Sequence, residues 1–194
     1  HFMEQTEALI ANLSRYKLMK PDEIRTACQY FQVQDLTKNE FFLKAGERCS
    51  KIGFLLEGII CSFVYDANGE EVVKHFVQPL NFFTDNESYE QQIPAKLNLQ
   101  AVTGARVYYI TRQNNIKVQE EFPNWIPTLK MMSADALQKM IQMQNFLHFG
   151  SAVDKYRHML KHCPTLLMQA PLKYIASYLG ITQSSLSRIR RENL

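Results

Sequence analysis

The stretch LKYIASYLGITQSSLSRIRR, residues 172–191, decides the fold of the C-terminal part of the chain. Ile175 and Leu179 are four residues apart, which places them on one face of a helix. Ala176 is small enough to let a second helix cross closely. Gly180 follows where the chain must turn sharply, a position that favours a positive φ. The first half of the stretch therefore predicts a helix that ends in a tight turn.

The second half predicts another helix, with Thr182 as its cap and Leu186 and Ile189 on its inner face. In the DNA major groove, arginine can pair with guanine, glutamine with adenine, and serine with a base or a phosphate. The outer face carries these residue types: Gln183, Ser184, Ser187, Arg188 and Arg191. The spacing predicts a helix-turn-helix that binds double-stranded DNA. The alternative is an ordinary helical hairpin with a polar surface.

Charge is distributed unevenly along the 194 residues. Residues 151–194 contain seven Lys or Arg and two acids, whereas residues 1–150 contain fifteen and seventeen. A basic C-terminal segment favours a polyanionic partner. Hydrophobic residues make up 46% of the chain, enough for a buried core.

The sequence shows neither a long apolar run nor an apolar leader at its start. The four cysteines have no metal-ligand spacing, which indicates free thiols in a reducing compartment. We therefore expect a cytoplasmic protein with no membrane partner, no metal and no cofactor.

The N-terminal region changes its periodicity along the chain. Residues 4–35 read as helical, and Pro21 opens a second short helix. Residues 40–112 are rich in β-branched and aromatic residues, and Asn68-Gly69 predicts a two-residue type I′ hairpin turn. Six strands that close on themselves predict a small barrel or jelly roll. They are predicted at Phe41–Leu43, Ile52–Leu56, Ile59–Tyr65, Val72–Val77, Leu97–Val102 and Arg106–Ile110.

A long helix is predicted between Pro127 and Gly150. Such a helix can pack on its own barrel or on the same helix of a second chain, and we expect the second arrangement, a homodimer. The stripe expected to form the dimer interface is Leu129, Met132, Ala136, Met140, Met143 and Leu147. After it, Ser151 and Asp154 have the spacing of a capping box that starts the next helix.

Several segments resemble the Crp/Fnr family of bacterial transcription regulators, in particular its short branch. The C-terminal segments are residues 174–182 (YIASYLGIT) and 186–190 (LSRIR). The N-terminal ones are residues 42–47 (FLKAGE), 54–58 (FLLEG) and 68–70 (NGE). The resemblance implies a cyclic-nucleotide-binding-like jelly roll, a dimer through the long helix, and promoter binding.

The resemblance covers residues 20–192 and implies an α+β fold in three parts. Residues 3–115 would form the sensor domain, residues 116–150 the dimerisation helix and linker, and residues 151–194 the helix-turn-helix domain. By position in the motif, Gln183, Ser184 and Arg188 would read bases, while Thr182 and Ser187 would support them; Lys173 and Arg190 would contact phosphates. The implied partners are operator DNA, a second copy of the chain, an unknown small-molecule effector and RNA polymerase.

The chain departs from the family members that bind cyclic AMP. In those members a Gly-Glu pair holds the ribose, and an Arg-Ser pair holds the cyclic phosphate. A gapless run through this sequence places Thr84-Asp85 and Ala95-Lys96 at these positions. The loss of the arginine removes the best phosphate ligand, so we expect that cyclic AMP is not the effector. The expected pocket comprises Phe82, Phe83, Thr84, Asp85, Tyr89, Ala95 and Lys96.

Other function classes find less support in the sequence. Cys28 stands alone before the barrel and His75 is a lone strand histidine, which disfavours iron–sulfur and haem sensing. A cupin-like metal enzyme would need several histidines in the strand region. His158 and His162 are one helical turn apart, but Met159 stands where a zinc protease has glutamate. A ligand-binding signalling module without DNA binding is the remaining alternative.

Overall fold

The structure, a computed structural model, describes residues 2–192, with side chains described from Thr6 onward. Eight strands occur in this range. They are β1 (Gln32–Leu36), β2 (Phe41–Leu43), β3 (Lys51–Glu57), β4 (Ile60–Tyr65), β5 (Glu71–Val77), β6 (Phe82–Phe83), β7 (Asn98–Ala101) and β8 (Ala105–Thr111).

Helices precede and follow the strand region, and one helix lies within it. They are α1 (Phe2–Ser14), α2 (Pro21–Ala27), α3 (Asn86–Gln91), α4 (Arg112–Glu121), α5 (Trp125–Phe149), α6 (Ala152–His162), α7 (Pro164–Gln169), α8 (Leu172–Leu179) and α9 (Gln183–Glu192). In the described range, none of them combines the length and the apolar character that crossing a membrane requires.

Two antiparallel four-stranded sheets form the barrel region. Their strand orders are β1-β8-β3-β6 and β2-β7-β4-β5. The predicted jelly-roll region is thus confirmed, and the sheets enclose a core that includes Phe42, Leu55, Ile60, Leu99 and Val107. This packing follows from the period of two along each strand, which sends alternate side chains to the same face.

Two strands lie outside the predicted set. β1 occupies the end of a segment that we predicted to be helical, and this part of the prediction is wrong. Its residues pair antiparallel with β8, from Gln32 opposite Tyr109 to Leu36 opposite Ala105. A short, polar strand at the end of a sheet is fixed by this pairing rather than by an apolar pattern of its own. β6 has only two residues, which are too few to show the alternating pattern by which a strand is recognised in a sequence.

The hairpin between β4 and β5 exists, but the predicted two-residue type I′ turn is wrong. The Gly69 N–H donates to the Asp66 carbonyl, and the Asp66 N–H donates to the Glu70 carbonyl. Gly69 has a φ of +79°, whereas Asn68 does not have a positive φ. A three-residue loop with one left-handed glycine fits this pattern, and the Asp66 carboxylate stabilises it by accepting from the Asn68 N–H.

A second core joins the N-terminal helices to the barrel and to the start of α5. Trp125, Leu129 and Met132 pack there with Leu9 and Tyr108, and all five are buried. The indole N–H of Trp125 donates to Asn115, 2.7 Å away. The N-terminal end of α5 is therefore part of the core that it shares with the barrel.

The predicted C-terminal helices are present. The capping box at Ser151 and Asp154 starts α6, and α6 ends at His162. Helices α6 to α9 bury their apolar faces in a third core, which includes Phe63 and Phe76 from the barrel and Ile175, Leu186 and Ile189 from α8 and α9. The barrel and the C-terminal helices thus share a core, and the expected domain boundary at residue 115 falls inside α4.

Candidate DNA-binding surface and effector cavity

The helix-turn-helix consists of α8, the turn at Gly180 and α9. Gly180 adopts the left-handed conformation, with φ +69° and ψ +31°, and its N–H donates to carbonyls in the last turn of α8. Thr182 then caps α9, because its Oγ1 accepts from the Ser185 N–H at 3.2 Å. Leu186 and Ile189 are buried against the bundle. These contacts fix the direction in which α9 leaves the turn.

The opposite face of α9 is open to solvent. Gln183, Ser184, Arg188 and Arg191 are exposed, while Ser187 and Arg190 are partly buried. The Thr182 and Ser184 hydroxyls lie within hydrogen-bond distance of each other, 3.1 Å apart. The structure thus brings the predicted base-reading side chains together on one free helical face.

Lys173 lies apart from this face. Its Nζ is 3.0 Å from an oxygen of Glu71 on β5 and 4.6 Å from the centre of the Tyr174 ring. The ion pair raises the pKa of Lys173, mainly through the hydrogen bond with Glu71. In this arrangement Lys173 contacts the barrel, and its expected phosphate contact stays a prediction.

Helix α8 is attached to β5 by more than this ion pair. Ser177 Oγ accepts from the Val73 N–H at 3.0 Å and donates to the Glu71 carbonyl at 3.2 Å. The rings of Phe76 and Tyr178 meet edge to face, with centroids 5.1 Å apart. The first helix of the motif is therefore docked along a strand of the barrel.

A cavity of about 350 Å³ lies between the barrel and α5. The expected residues Phe82, Phe83, Thr84 and Asp85 line it, together with Ser62 and His75 from β4 and β5. Asp85 also caps α3 by accepting from the Ser88 N–H at 3.0 Å. The cavity has the size and mixed lining of a small-molecule site.

Three residues of the expected pocket do not line this cavity. Lys96 is on the surface, where its Nζ is 3.0 Å from Glu87. Ala95 is buried, and its N–H donates to the Glu47 carbonyl at 2.8 Å. The Tyr89 hydroxyl accepts a hydrogen bond from Asn115, 3.1 Å away. These three residues therefore lie outside this cavity, because the chain around α3 directs them to other contacts.

Part of the expected dimer stripe packs on its own chain, whereas Ala136 is exposed. Leu129 and Met132 are only 7% and 8% exposed, in the core shared with the barrel. Ala136 and Met140 line the cavity, and Leu147 packs against the third core. Met143, on the same side of the helix, is partly buried. Leu129 and Met132 are thus occupied within their own chain, whereas an interface formed by Ala136, Met140, Met143 and Leu147 stays a prediction.

The exposed side of α5 carries a second apolar set that the sequence analysis missed, and one of its members, Leu137, also borders the cavity. Leu137 and Ile141, one turn apart, are 52% and 49% exposed, and Ala134 is exposed on the same side.

Of the residues that the structure describes, no set of three or more His, Cys, Asp or Glu could hold a metal ion.

Comparisons with known proteins agree with this geometry. The family model described as a cyclic nucleotide-binding domain matches residues 33–121. FixK2 from Bradyrhizobium japonicum superposes with a TM-score of 0.72 and 17% identity, covering 84% of this chain and 83% of that one. This chain has the Crp/Fnr-type fold.

Two further regulators share the Crp/Fnr-type fold with this chain. CLP of Xanthomonas campestris, described as a c-di-GMP responsive global regulator, has a TM-score of 0.67 and 10% identity over 89% of this chain and 91% of that one. The catabolite activator protein of Thermus thermophilus has a TM-score of 0.58 and 18% identity over 93% and 85%. No curated protein sequence matches the chain.

Proposed function

We propose that this chain is a homodimeric transcription regulator that binds operator DNA through α9. The observation that carries the proposal is that α9 has one buried apolar face and one exposed polar face. Its inner residues are buried, and its outer face presents Gln183, Ser184 and Arg188 to solvent after a glycine turn of the required geometry. Arg and Gln side chains on such a helix suit base edges in the major groove.

The test uses a DNA duplex that the protein itself selects from a random pool, compared with a random duplex. Arg188→Ala should weaken the binding free energy for the selected duplex by about 1–3 kcal/mol, because a base contact is lost. Binding to random DNA should change little. Arg190→Ala should weaken binding to both duplexes and make that binding less dependent on salt, because a phosphate contact is lost. Fluorescence anisotropy measures both.

Lys38→Ala is the matched control, since it removes one positive charge from an exposed turn of the barrel. It should leave both affinities close to wild type. Failure of the pool to enrich any sequence would remove the proposed function and favour a signalling module without DNA binding. Equal losses on both duplexes for Arg188→Ala would assign Arg188 to the backbone.

The homodimer belongs to the same proposal, with a revised interface. Leu137 and Ile141 are large apolar residues left exposed on the longest helix, and a second copy of α5 would cover them. To bind two adjacent half-sites, the two copies of α9 would have to lie roughly 34 Å apart, one turn of DNA.

We also propose that cyclic AMP is not the effector. A buried phosphate needs a paired, hydrogen-bonded cation. Lys96 is held by Glu87 on the surface, and the Ala95 N–H is already bonded within the chain. Calorimetry with millimolar cyclic AMP should show no saturable heat. A dissociation constant below about 10 µM, near −7 kcal/mol, would contradict this.

A further inference from the structure

The cavity has a mainly apolar lining contributed by two parts of the molecule. Phe82, Phe83 and Leu99 contribute from the barrel, and Leu129, Met132 and Met140 contribute from α5. Such a lining favours a ligand with a large apolar surface, because burying that surface stabilises the complex.

A few polar groups converge on this space. Ser62 and His75 are directly opposite each other in the pairing of β4 with β5, so that both side chains project to the same face of the sheet. Ser62 is only 8% exposed. Among the described residues, neither side chain has a hydrogen-bond partner. A hydroxyl and an imidazole left unpaired beside an apolar cavity are suited to hydrogen-bond a ligand.

The charges around the cavity disfavour an anion. The carboxyl group of Asp85 is buried in the wall. The cations of the described lining are Arg15 and Lys139. Arg15 donates to the Tyr16 hydroxyl at 2.6 Å and lies 3.9 Å from Asp135, whereas Lys139 is exposed on α5. Burial lowers the pKa of His75, which favours the neutral imidazole. A phosphate ester would therefore meet the buried carboxyl group of Asp85, opposed only by Lys139, whose exposure to solvent screens its charge.

We propose that this cavity binds an uncharged, mainly apolar small molecule whose polar atom hydrogen-bonds Ser62 or His75. The inference rests on the proposed function only in treating that molecule as the effector. Because α5 supplies one wall and also the exposed face of Leu137 and Ile141, an occupant would contact the same helix that is proposed to join two chains.

The experiment titrates the full chain with two fluorescent probes that share one ring skeleton. N-phenyl-1-naphthylamine is uncharged and has one N–H group, whereas 8-anilinonaphthalene-1-sulfonate adds a single negative charge. We expect saturable binding of the neutral probe and at least tenfold weaker binding of the sulfonate. Equal or tighter binding of the sulfonate would overturn the proposed ligand class.

Variants locate the bound probe. Ala136→Trp places a large side chain at the cavity wall and should weaken binding of the neutral probe at least tenfold. Met140→Trp blocks the cavity independently from a second position. Gln142→Trp is the matched control, because Gln142 is exposed on another side of α5 and outside the cavity lining. If both blocking variants bind the probe like wild type, the cavity is not its site and the proposal fails.

The hydrogen-bonding role has its own variant. His75→Leu keeps the volume roughly constant but removes both ring nitrogens, and it should weaken the neutral probe about threefold to tenfold if His75 accepts its N–H. Ser62→Ala tests the other partner in the same way. Unchanged affinity in both would overturn the polar anchor. These assays contain no DNA, so their failure is distinct from failure of DNA binding.

Discussion

Gly180 is the residue on which the geometry of the helix-turn-helix depends. Its φ of +69° lies in the left-handed region, and an added Cβ would meet no atom within 4 Å. Gly180→Ala should therefore destabilise the fold through backbone conformation alone, by about 1–2 kcal/mol. Urea unfolding measures this difference.

Gly104→Ala is the control for that substitution. An added Cβ at Gly104 also meets open space, but Gly104 is outside the left-handed region. This variant should be neutral or slightly stabilising, because alanine restricts the unfolded chain. Equal losses at the two glycines would show that the left-handed turn is not what Gly180 contributes.

His75 makes stability depend on pH. Burial lowers its pKa in the folded chain below the ordinary value of 6.5, so the unfolded chain binds the proton more readily. Stability should therefore be complete above about pH 6.5 and decrease as the pH falls below it, by at most about 1.4 kcal/mol per pH unit for one proton.

The variant His75→Gln should reduce this pH slope without abolishing it. His158 contributes in the same direction, because burial and the nearby His162 lower its pKa. Urea unfolding between pH 7.5 and pH 5 measures the slope in both proteins. An unchanged slope in the variant would mean that His75 is protonated as easily in the folded chain as in the unfolded one.

At the residue scale, the roles that depend on neighbouring residues in the chain were predictable. The meeting of residues that are distant in the chain was not. Gly180 and Thr182 could be placed from sequence, because a turn and a cap depend on residues within a few positions. Ser62 and His75 meet only through strand pairing, and no spacing along the chain indicates that they share a face of the cavity. Lys96 was misplaced because the chain around α3 sends it to the surface.

At the scale of elements, α5 has two apolar faces. The stripe of Leu129 and Met132 covers the barrel, and the set of Leu137 and Ile141 remains exposed. Periodicity identifies the helix and its apolar residues, but it does not say which face meets the chain's own barrel. That choice depends on the position of the sheets, which the sequence pattern does not contain.

The contact of α8 with β5 can be tested through Ser177. Ser177→Ala leaves the Val73 N–H without its acceptor, so we expect a loss of about 1–2 kcal/mol and faster amide exchange at Val73. Urea unfolding and hydrogen exchange measure the two effects.

Lys173→Met is the matched control on the same helix. It removes an ion pair whose lysine side chain is 51% exposed, and such pairs contribute little. We expect a change well below that of Ser177→Ala and no change in exchange at Val73. If Lys173→Met were the more damaging variant, the ion pair rather than the hydroxyl would hold α8 in place.

At the scale of the whole molecule, the free face of α5 predicts the assembly. The chain mass of 22.6 kDa implies about 45 kDa for a dimer in sedimentation at micromolar concentration. Leu137→Asp or Ile141→Asp should give monomers, because each would bury an unpaired charge. Gln142→Asp, on another side of the helix, should remain dimeric. A wild-type monomer at this concentration would remove the proposed operator geometry.

The position of α8 has a consequence for solubility. β5 is the last strand of its sheet, so its outer side would offer unpaired N–H and C=O groups to any passing strand. Ser177 occupies two of these groups, on Glu71 and Val73, and α8 lies alongside them. The first helix of the helix-turn-helix thus also shields a sheet edge from aggregation. A chain cut before Leu172 should associate through that edge, whereas the intact chain should not.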